Sequence, residues 1–127
     1  MEEDPLEDEK GLWKLSVDGS SCISWSGAGL VLPSPDAWTL EYALRFGFKA
    51  TNNEAEWEAL IVGLTIAKHL EVRKIEASSD SQLVVGLANG EYEAREYSMA
   101  KYLVHVQSLK SAFQVLRVLK VPREENV

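Results

Sequence analysis

The sequence predicts an α/β domain built on a mixed five-stranded sheet, with the elements in the order β-β-β-α-β-α-α-β and the helices packed on the sheet. Three observations predict this class. The first part of the chain holds short segments of alternating apolar and polar residues, separated by Gly, Pro and Ser clusters that are typical of strand ends. Two long amphipathic segments follow. With 127 residues and 46% hydrophobic content, the chain can bury one sizeable core.

The first three strands are predicted to form an antiparallel meander. Residues 13–17 alternate apolar and polar side chains, and residues 27–32 and 39–46 give two further runs bounded by Gly, Pro and Ser. The segment Pro33-Ser34-Pro35-Asp36 marks the turn between the second and third strands, because proline removes a ladder donor and fixes φ.

Residues 53–70 are predicted to form one amphipathic helix. Its apolar face consists of Ala55, Ala59, Val62, Gly63, Ile66, Ala67 and Leu70, and the opposite face carries Glu54, Glu58, Thr65, Lys68 and His69. Glu56 falls among the apolar positions, because it lies about 200° around the helix axis from Glu54 at about 100° per residue. A buried ionised carboxylate needs a proton, a cation or a metal as compensation. The alternative is a partly exposed acid in the first turn, stabilised by the helix dipole.

The second half of the chain completes the sheet. Residues 74–77 form a short strand, and Ser79 or Asp80 caps a short helix that runs to about residue 88, where Asn89-Gly90 ends it. Residues 95–113 give the second long helix, and residues 114–121 close the sheet as a strand before Pro122. The second long helix carries an apolar stripe of Met99, Tyr102, Leu103, Val106, Leu109, Ala112 and Phe113, which indicates ordinary core.

Charge and composition limit the function classes. The net charge is −7, but residues 1–10 hold six acids and one lysine, which is −5, so the rest of the chain is only −2. We expect residues 1–11 to be a disordered acidic leader and residues 12–127 to be the folded domain. No apolar run reaches the length of a membrane span, so a soluble intracellular protein is expected, nuclear or cytoplasmic. The single cysteine, Cys22, and the two histidines make a disulfide, a zinc site or a histidine-based triad improbable.

Three separated motifs each place a carboxylate where a strand or helix is predicted to begin or end. They are Val17-Asp18-Gly19-Ser20, Thr51-Asn52-Asn53-Glu54-Ala55-Glu56 and Ser79-Asp80-Ser81-Gln82. Three such acids can converge on one point and hold a divalent metal, for which carboxylate oxygens are suitable ligands. Alone, the first motif is a common turn and the third a common helix cap, and Asn52-Asn53 also suits helix capping.

In combination, the motifs resemble the ribonuclease H family. Their residues are most similar to those of the RNase H domains in plant retrotransposon polyproteins of the gypsy class. The resemblance covers about residues 12–126 and adds further segments to the three acidic motifs. These are Gly27-Ala28-Gly29, Trp57-Glu58-Ala59-Leu60, Leu83-Val84, Asn89-Gly90-Glu91-Tyr92 and Pro122-Arg123-Glu124-Glu125-Asn126. The resemblance implies an RNase H-like fold of which this sequence lacks the C-terminal helix.

The resemblance also implies a function. It implies an endonuclease that cleaves the RNA strand of RNA–DNA hybrids by two-metal phosphodiester hydrolysis, with Asp18, Glu56 and Asp80 as the catalytic, metal-binding acids. Mg²⁺ is the expected cofactor and Mn²⁺ an alternative. By the same resemblance, Gly19, Ser20, Asn52, Asn53 and Gln82 would face the minor groove and Thr51 would lie near a phosphate. The implied partners are the hybrid and, in a longer polyprotein, a reverse transcriptase domain.

Four features depart from the family pattern. In the family, an Asp follows the segment that matches residues 122–126 by a few residues, which is beyond Val127, and Glu124 or Glu125 would be weaker substitutes. Lys120 stands where many relatives carry a histidine, and lysine does not shuttle protons at neutral pH as histidine does. Trp25 lies with Cys22 and Ile23 in the first hairpin, where relatives tend to have small polar residues, and it could stack on nucleic acid or contact a partner. Residues 89–100 are acidic, whereas some cellular RNases H carry a basic segment there. These departures keep a second hypothesis open: a catalytically impaired module that binds nucleic acid or a protein partner.

Overall fold

The predicted order of elements is confirmed in a computed structural model, which describes residues 11–21, 26–33, 39–45 and 51–122. The elements are β1 (Leu12–Ser21), β2 (Ser26–Pro33), β3 (Thr39–Arg45), α1 (Asn52–His69), β4 (Lys74–Ser79), α2 (Gln82–Ala88), α3 (Tyr97–Lys110) and β5 (Val115–Lys120). Several predicted features lie outside the described residues: residues 1–10 of the acidic leader, Cys22 and Trp25 of the first hairpin, Pro35 of the second turn, and Glu124 and Glu125.

The strands of the described chain form a mixed five-stranded sheet in the order β3-β2-β1-β4-β5. The first three pair antiparallel, as the predicted meander requires, while β4 is parallel to β1 and β5 is parallel to β4. The central strand β1 therefore pairs with β2 on one side and with β4 on the other. Because β1 and β4 run the same way, their C-terminal ends lie at the same edge of the sheet.

Helix α1 packs on β1 and β2 and also contacts α3. Because it lies between the sheet and α3, it buries more than the predicted stripe: Trp57, Leu60, Ile61 and Leu64 are also buried. Leu70, predicted on the apolar face, is instead the C-cap residue and 44% exposed. On the side facing α3, the rings of Trp57 and Tyr102 are stacked with their centroids 6.1 Å apart.

The hydroxyl of Tyr102 ties α3 to α1. It donates a 2.9 Å hydrogen bond to Glu58 Oε1, while the indole nitrogen of Trp57 donates to the sulfur of Met99. Burial, followed by the hydrogen bond and the negative charge of Glu58, raises the pKa of Tyr102 above its usual value. The hydroxyl therefore stays protonated, and keeps donating to Glu58, to higher pH than an ordinary tyrosine would.

Several predicted boundaries are wrong. Strand β1 runs to Ser21 instead of ending near residue 17, because its pairing with β2 continues through Ser21↔Ser26 and overrides the turn preference of Asp-Gly-Ser. Helix α3 begins at Tyr97 instead of residue 95 and ends at Lys110. Ser81, rather than Ser79 or Asp80, caps α2, because its hydroxyl accepts from the amide of Val84. Within the described residues, none of the helices is long and apolar enough to cross a membrane.

Candidate active site

The three predicted acids meet at one point. Asp18 is exposed on β1, Glu56 lies in the second turn of α1, and Asp80 directly follows β4. One carboxylate oxygen from each lies within 4.8 Å of the other two. The parallel register explains two of these positions: Ser16 pairs with Ser78, so Asp18 and Asp80 each stand two residues further along neighbouring strands. The first turns of α1 bring the third acid to the same edge.

Glu56 is the buried member of this acidic cluster, with only 2% of its surface exposed. The prediction from helical periodicity that it falls among core positions is therefore confirmed. Its Oε2 accepts a 2.7 Å hydrogen bond from the hydroxyl of Ser79, which is itself buried at the end of β4. The Ser79 hydroxyl in turn accepts from the backbone amide of Ser81 at 3.1 Å. A hydroxyl held in this way has its proton directed at the carboxylate, which fixes the position of Glu56.

The donor set of the cluster fits a hard divalent cation. Among the described residues it consists of carboxylate oxygens, which are ligands that Mg²⁺ and Mn²⁺ accept. Three carboxylates so close together repel one another when all are ionised. A bound cation relieves that repulsion and compensates the burial of Glu56.

The segment that begins α1 is anchored by its own cap. Thr51 is the N-cap residue: its hydroxyl accepts from the amide of Glu54 at 3.1 Å, and the Glu54 side chain accepts from the Thr51 amide at 3.0 Å. The capping role considered for Asn52 and Asn53 is therefore wrong for both, because they are the first two helical residues. Asn53 instead accepts a 2.8 Å hydrogen bond at Oδ1 from the hydroxyl of Ser81.

The remaining predicted substrate-binding residues surround the cluster. Gly19 and Ser20 follow Asp18 in β1, where their backbones pair with Ala28 and Gly27 of β2. Gln82 is the first residue of α2, two positions after Asp80, and its side-chain nitrogen donates to the hydroxyl of Tyr92 at 2.9 Å. The predicted set is thus drawn from β1, α1 and α2 around the three acids.

Comparisons with known proteins identify the family to which this fold belongs. Residues 16–127 match a family model described as "Reverse transcriptase-like". The crystal structure of RNase H1 from Halobacterium salinarum is 31% identical, with a TM-score of 0.83 over 91% of this chain and 89% of that one. The N-terminal RNase H domain of Rv2228c from Mycobacterium tuberculosis is 32% identical, with the same TM-score over 91% of this chain and 86% of that one. The chain belongs to the ribonuclease H family.

Further matches agree with this family assignment. LC11-RNase H1, solved in complex with an RNA/DNA hybrid, is 26% identical with a TM-score of 0.80, over 91% of this chain and 88% of that one. Among curated proteins, "Ribonuclease HI" of H. salinarum is 33% identical over 78 residues and "Bifunctional protein Rv2228c" is 36% identical over 78 residues; each match covers 61% of this chain. The chain's matches span 39% and 21% of those two proteins. The predictions of an RNase H-like fold and of an RNase H-type enzyme family are confirmed.

Sequence reasoning missed three residues that hold the acidic cluster and its neighbours in place. Ser79 and Ser81 fix Glu56 and Asn53, and Tyr92 contacts Gln82. The hydroxyls flanking Asp80 in Ser79-Asp80-Ser81 were a usable signal, since a serine beside a predicted metal ligand can orient a neighbouring acid. Tyr92 lies within a segment that carried the family resemblance. Its contact with α2 depends on how the chain folds back after Ala88, and the sequence pattern does not specify that path.

Lys120 lies beside the cluster. It ends β5 and pairs with Ser79 of β4, so it occupies the same edge of the sheet as Asp80. Its side chain is exposed. The histidines at positions 69 and 105 are also exposed, at the far end of α1 and on α3.

Proposed function

We propose that this chain is a metal-dependent endonuclease that cleaves the RNA strand of RNA–DNA hybrids. The observation that carries the proposal is the convergence of Asp18, Glu56 and Asp80, whose carboxylate oxygens lie within 4.8 Å of one another. Membership of the ribonuclease H family and the hybrid bound by LC11-RNase H1 support the same substrate.

Asp18, Glu56 and Asp80 would hold Mg²⁺, or Mn²⁺ in its place. Two bound ions would activate the attacking water and stabilise charge on the leaving oxygen. Glu56 is held in place by Ser79 before any ligand arrives, so this part of the site is preorganised. Asp18 is exposed and Asp80 half-buried, so the cluster is open to solvent on the side from which a phosphate can approach.

The surrounding polar residues would recognise the hybrid by its shape and by the ribose 2′-hydroxyl, which distinguishes RNA from DNA. Gly19, Ser20, Asn52, Asn53 and Gln82 would contact the minor groove. Because Ser81 donates to Asn53 Oδ1, the amide nitrogen of Asn53 lies on the side away from Ser81 and can donate to the RNA strand. Thr51 would place its backbone near a phosphate while its side chain caps α1. Contacts of this kind read sugar and backbone, so little sequence preference is expected.

The second candidate is a module that keeps the fold and binds nucleic acid or a protein without effective catalysis. Lys120 beside Ser79 favours it, because lysine does not relay protons as the family's histidine does. The exposed acids Glu91, Glu93 and Glu96 also favour it, because they repel phosphate.

We propose further that the domain operates in a longer polyprotein beside a reverse transcriptase domain, as in gypsy-class retrotransposons. The description of the matched family as reverse transcriptase-like supports this context. The relatives named above are archaeal, mycobacterial and from compost, and they support the ribonuclease H family without distinguishing a retrotransposon origin.

A cleavage assay on an end-labelled RNA–DNA hybrid distinguishes the proposed endonuclease from the binding module without effective catalysis. The chain is assayed with Mg²⁺, with Mn²⁺ and with EDTA, beside Asp80→Asn. Glu76→Gln is the matched control, because Glu76 is another acid of the β4 segment but pairs with Arg117 at 3.8 Å, away from the cluster. Metal-dependent cutting of the RNA strand that Asp80→Asn abolishes and Glu76→Gln retains supports the enzyme. Hybrid binding without cutting in either metal supports the module and overturns the enzyme.

A further inference from the structure

Tyr92 is held against α2 by both its ring and its backbone. The ring lies over Gly86: a Cβ at that position would stand 2.3 Å from Cε2 and 2.4 Å from Cδ2 of the tyrosine, so the close approach needs a glycine. The carbonyl oxygen of Gly86 also accepts from the amides of Glu91 and Tyr92, at 2.8 and 3.3 Å. The position of the ring is therefore determined by α2 itself.

The anchored ring presents its hydroxyl to Gln82. The side-chain nitrogen of Gln82 donates to the Tyr92 oxygen at 2.9 Å, although both side chains are exposed. A free glutamine samples many rotamers, and holding it in one of them costs conformational entropy whenever it binds a ligand. In this chain, the hydrogen bond to Tyr92 already restricts the Gln82 side chain before substrate binds.

We propose that Tyr92 is a positioning residue for hybrid recognition, which fixes the Gln82 amide in the orientation that contacts the RNA strand. This inference rests on the proposed function and deepens it. With Nε2 of Gln82 bound to Tyr92, the carbonyl oxygen at the other end of the amide accepts a hydrogen bond from a ribose 2′-hydroxyl. Tyr92 itself touches no reacting group, so its effect falls on binding and on the discrimination of RNA from DNA.

Two substitutions at Tyr92 distinguish the proposed positioning role of its hydroxyl from the packing role of its ring. Phenylalanine keeps the ring that lies on Gly86 and removes only the hydroxyl that meets Gln82. Tyr92→Phe therefore tests positioning, whereas Tyr92→Ala also removes the packing and serves as the structural comparison. Gln82→Ala removes the group that is positioned.

The experiment measures KM and kcat for cleavage of a hybrid by the active chain, together with its thermal stability. Affinities for the hybrid and for DNA of the same sequence are measured in the Asp80→Asn background. Tyr92→Phe is expected to weaken hybrid binding and raise KM by about three- to tenfold, the effect of one hydrogen bond. DNA affinity, kcat and melting temperature should stay close to wild type. In the Gln82→Ala background, the same change should have no further effect.

Wild-type affinity and KM in Tyr92→Phe would overturn the inference, as would an equal loss in the Gln82→Ala background, which would mean that the hydroxyl acts independently of Gln82. A loss of kcat with KM unchanged would also overturn it. These outcomes are separate from failure of the proposed function, in which the wild-type chain itself neither binds nor cuts the hybrid and the inference fails with it.

Discussion

The Glu56 carboxylate is held by a hydroxyl from another element of the fold. Ser79 belongs to β4, and its hydrogen bond to Glu56 Oε2 joins that strand to α1 at the acidic cluster. The Ser81 amide holds the hydroxyl from its other side. A residue that orients a metal ligand typically changes metal affinity or activity about 10- to 100-fold when it is removed. At the residue scale, the proposed metal site therefore depends on a serine that is not itself one of the proposed ligands.

Replacing Ser79 by alanine should weaken Mg²⁺ binding by about 10- to 100-fold, because Glu56 loses its donor and its fixed position. Isothermal titration calorimetry measures the affinity without substrate. Ser79→Thr keeps the hydroxyl and should stay near wild type. Ser78→Ala is the matched control, since Ser78 donates instead to the Leu15 carbonyl oxygen at 3.4 Å. Equal weakening in both alanine variants would show a general effect of altering β4 rather than loss of the Glu56 contact.

At the scale of the element, α1 ends in a conformation that its sequence does not favour. The amide of Glu71 bonds to the carbonyl oxygen of Lys68, and the amide of Val72 bonds to that of Ala67, which together form a Schellman motif. The motif places Glu71 at φ 61°, in the left-handed region where glycine is preferred.

Glu71→Gly should stabilise the fold by about 0.5–1 kcal/mol, because relief of the left-handed strain exceeds the added entropy of the unfolded chain. Urea denaturation measures the change as a higher midpoint with an unaltered slope. Glu71→Ala is the control, since it removes the charge but keeps the Cβ. If alanine stabilises as much as glycine, the gain comes from charge and not from backbone conformation.

In the middle of α1, the sequence already has the glycine that the structure requires. Gly63 lets α1 approach β1 closely: a Cβ there would stand 2.5 and 2.7 Å from the two methyl carbons of Leu15, which is fully buried. Gly63→Ala should destabilise the fold by about 1–2 kcal/mol, because overpacking exceeds the gain in helix propensity.

Urea denaturation also checks this prediction, with Gly29→Ala as the control because a Cβ at that position meets nothing within 4 Å. Adding Leu15→Val to Gly63→Ala should cost less than the sum of the two single changes, since the shorter side chain makes room for the new methyl group. A neutral Gly63→Ala variant would mean that α1 can move away from β1 without loss.

Prediction from sequence succeeded where a pattern is local and failed where a contact is made by tertiary packing. Helical spacing identified Glu56 as a core position, and it is 2% exposed. The same spacing underestimated how much of α1 is buried. It predicts one apolar face that packs on the sheet, but α1 also packs against α3, which forms a third layer of the fold. The contacts of Ser79 with Glu56 and of Tyr92 with Gln82 join residues 23 and 10 positions apart, and no local pattern specifies them.

For the whole molecule, the distribution of charge sets how strongly a hybrid can bind. Glu91, Glu93 and Glu96 are exposed in the segment between α2 and α3, with Arg95 as its one basic residue. This segment adjoins the proposed substrate face through the contact of Tyr92 with Gln82. Phosphate contacts dominate affinity for nucleic acid, and each one that a cation makes steepens the dependence on salt. The acidic segment should therefore lower both the affinity and its salt dependence.

Replacing Glu91, Glu93 and Glu96 together by lysine should tighten hybrid binding and steepen the slope of log Kd against log salt by roughly 0.7–0.9 for each new phosphate contact. Fluorescence anisotropy at several salt concentrations, in the Asp80→Asn background, measures both. Glu71→Lys is the control: it adds positive charge at the far end of α1, about 20 Å from Glu56, beyond the screening length of about 8 Å at physiological salt. The triple variant adds +6 and this control +2, so if the control shifts the slope by about a third as much, in proportion to its charge, the effect is one of net charge and the hybrid does not pass the segment. A steeper slope in the triple variant alone would place a nucleic-acid backbone beside residues 91–96 and would show that the acids at these positions lower the affinity for the hybrid.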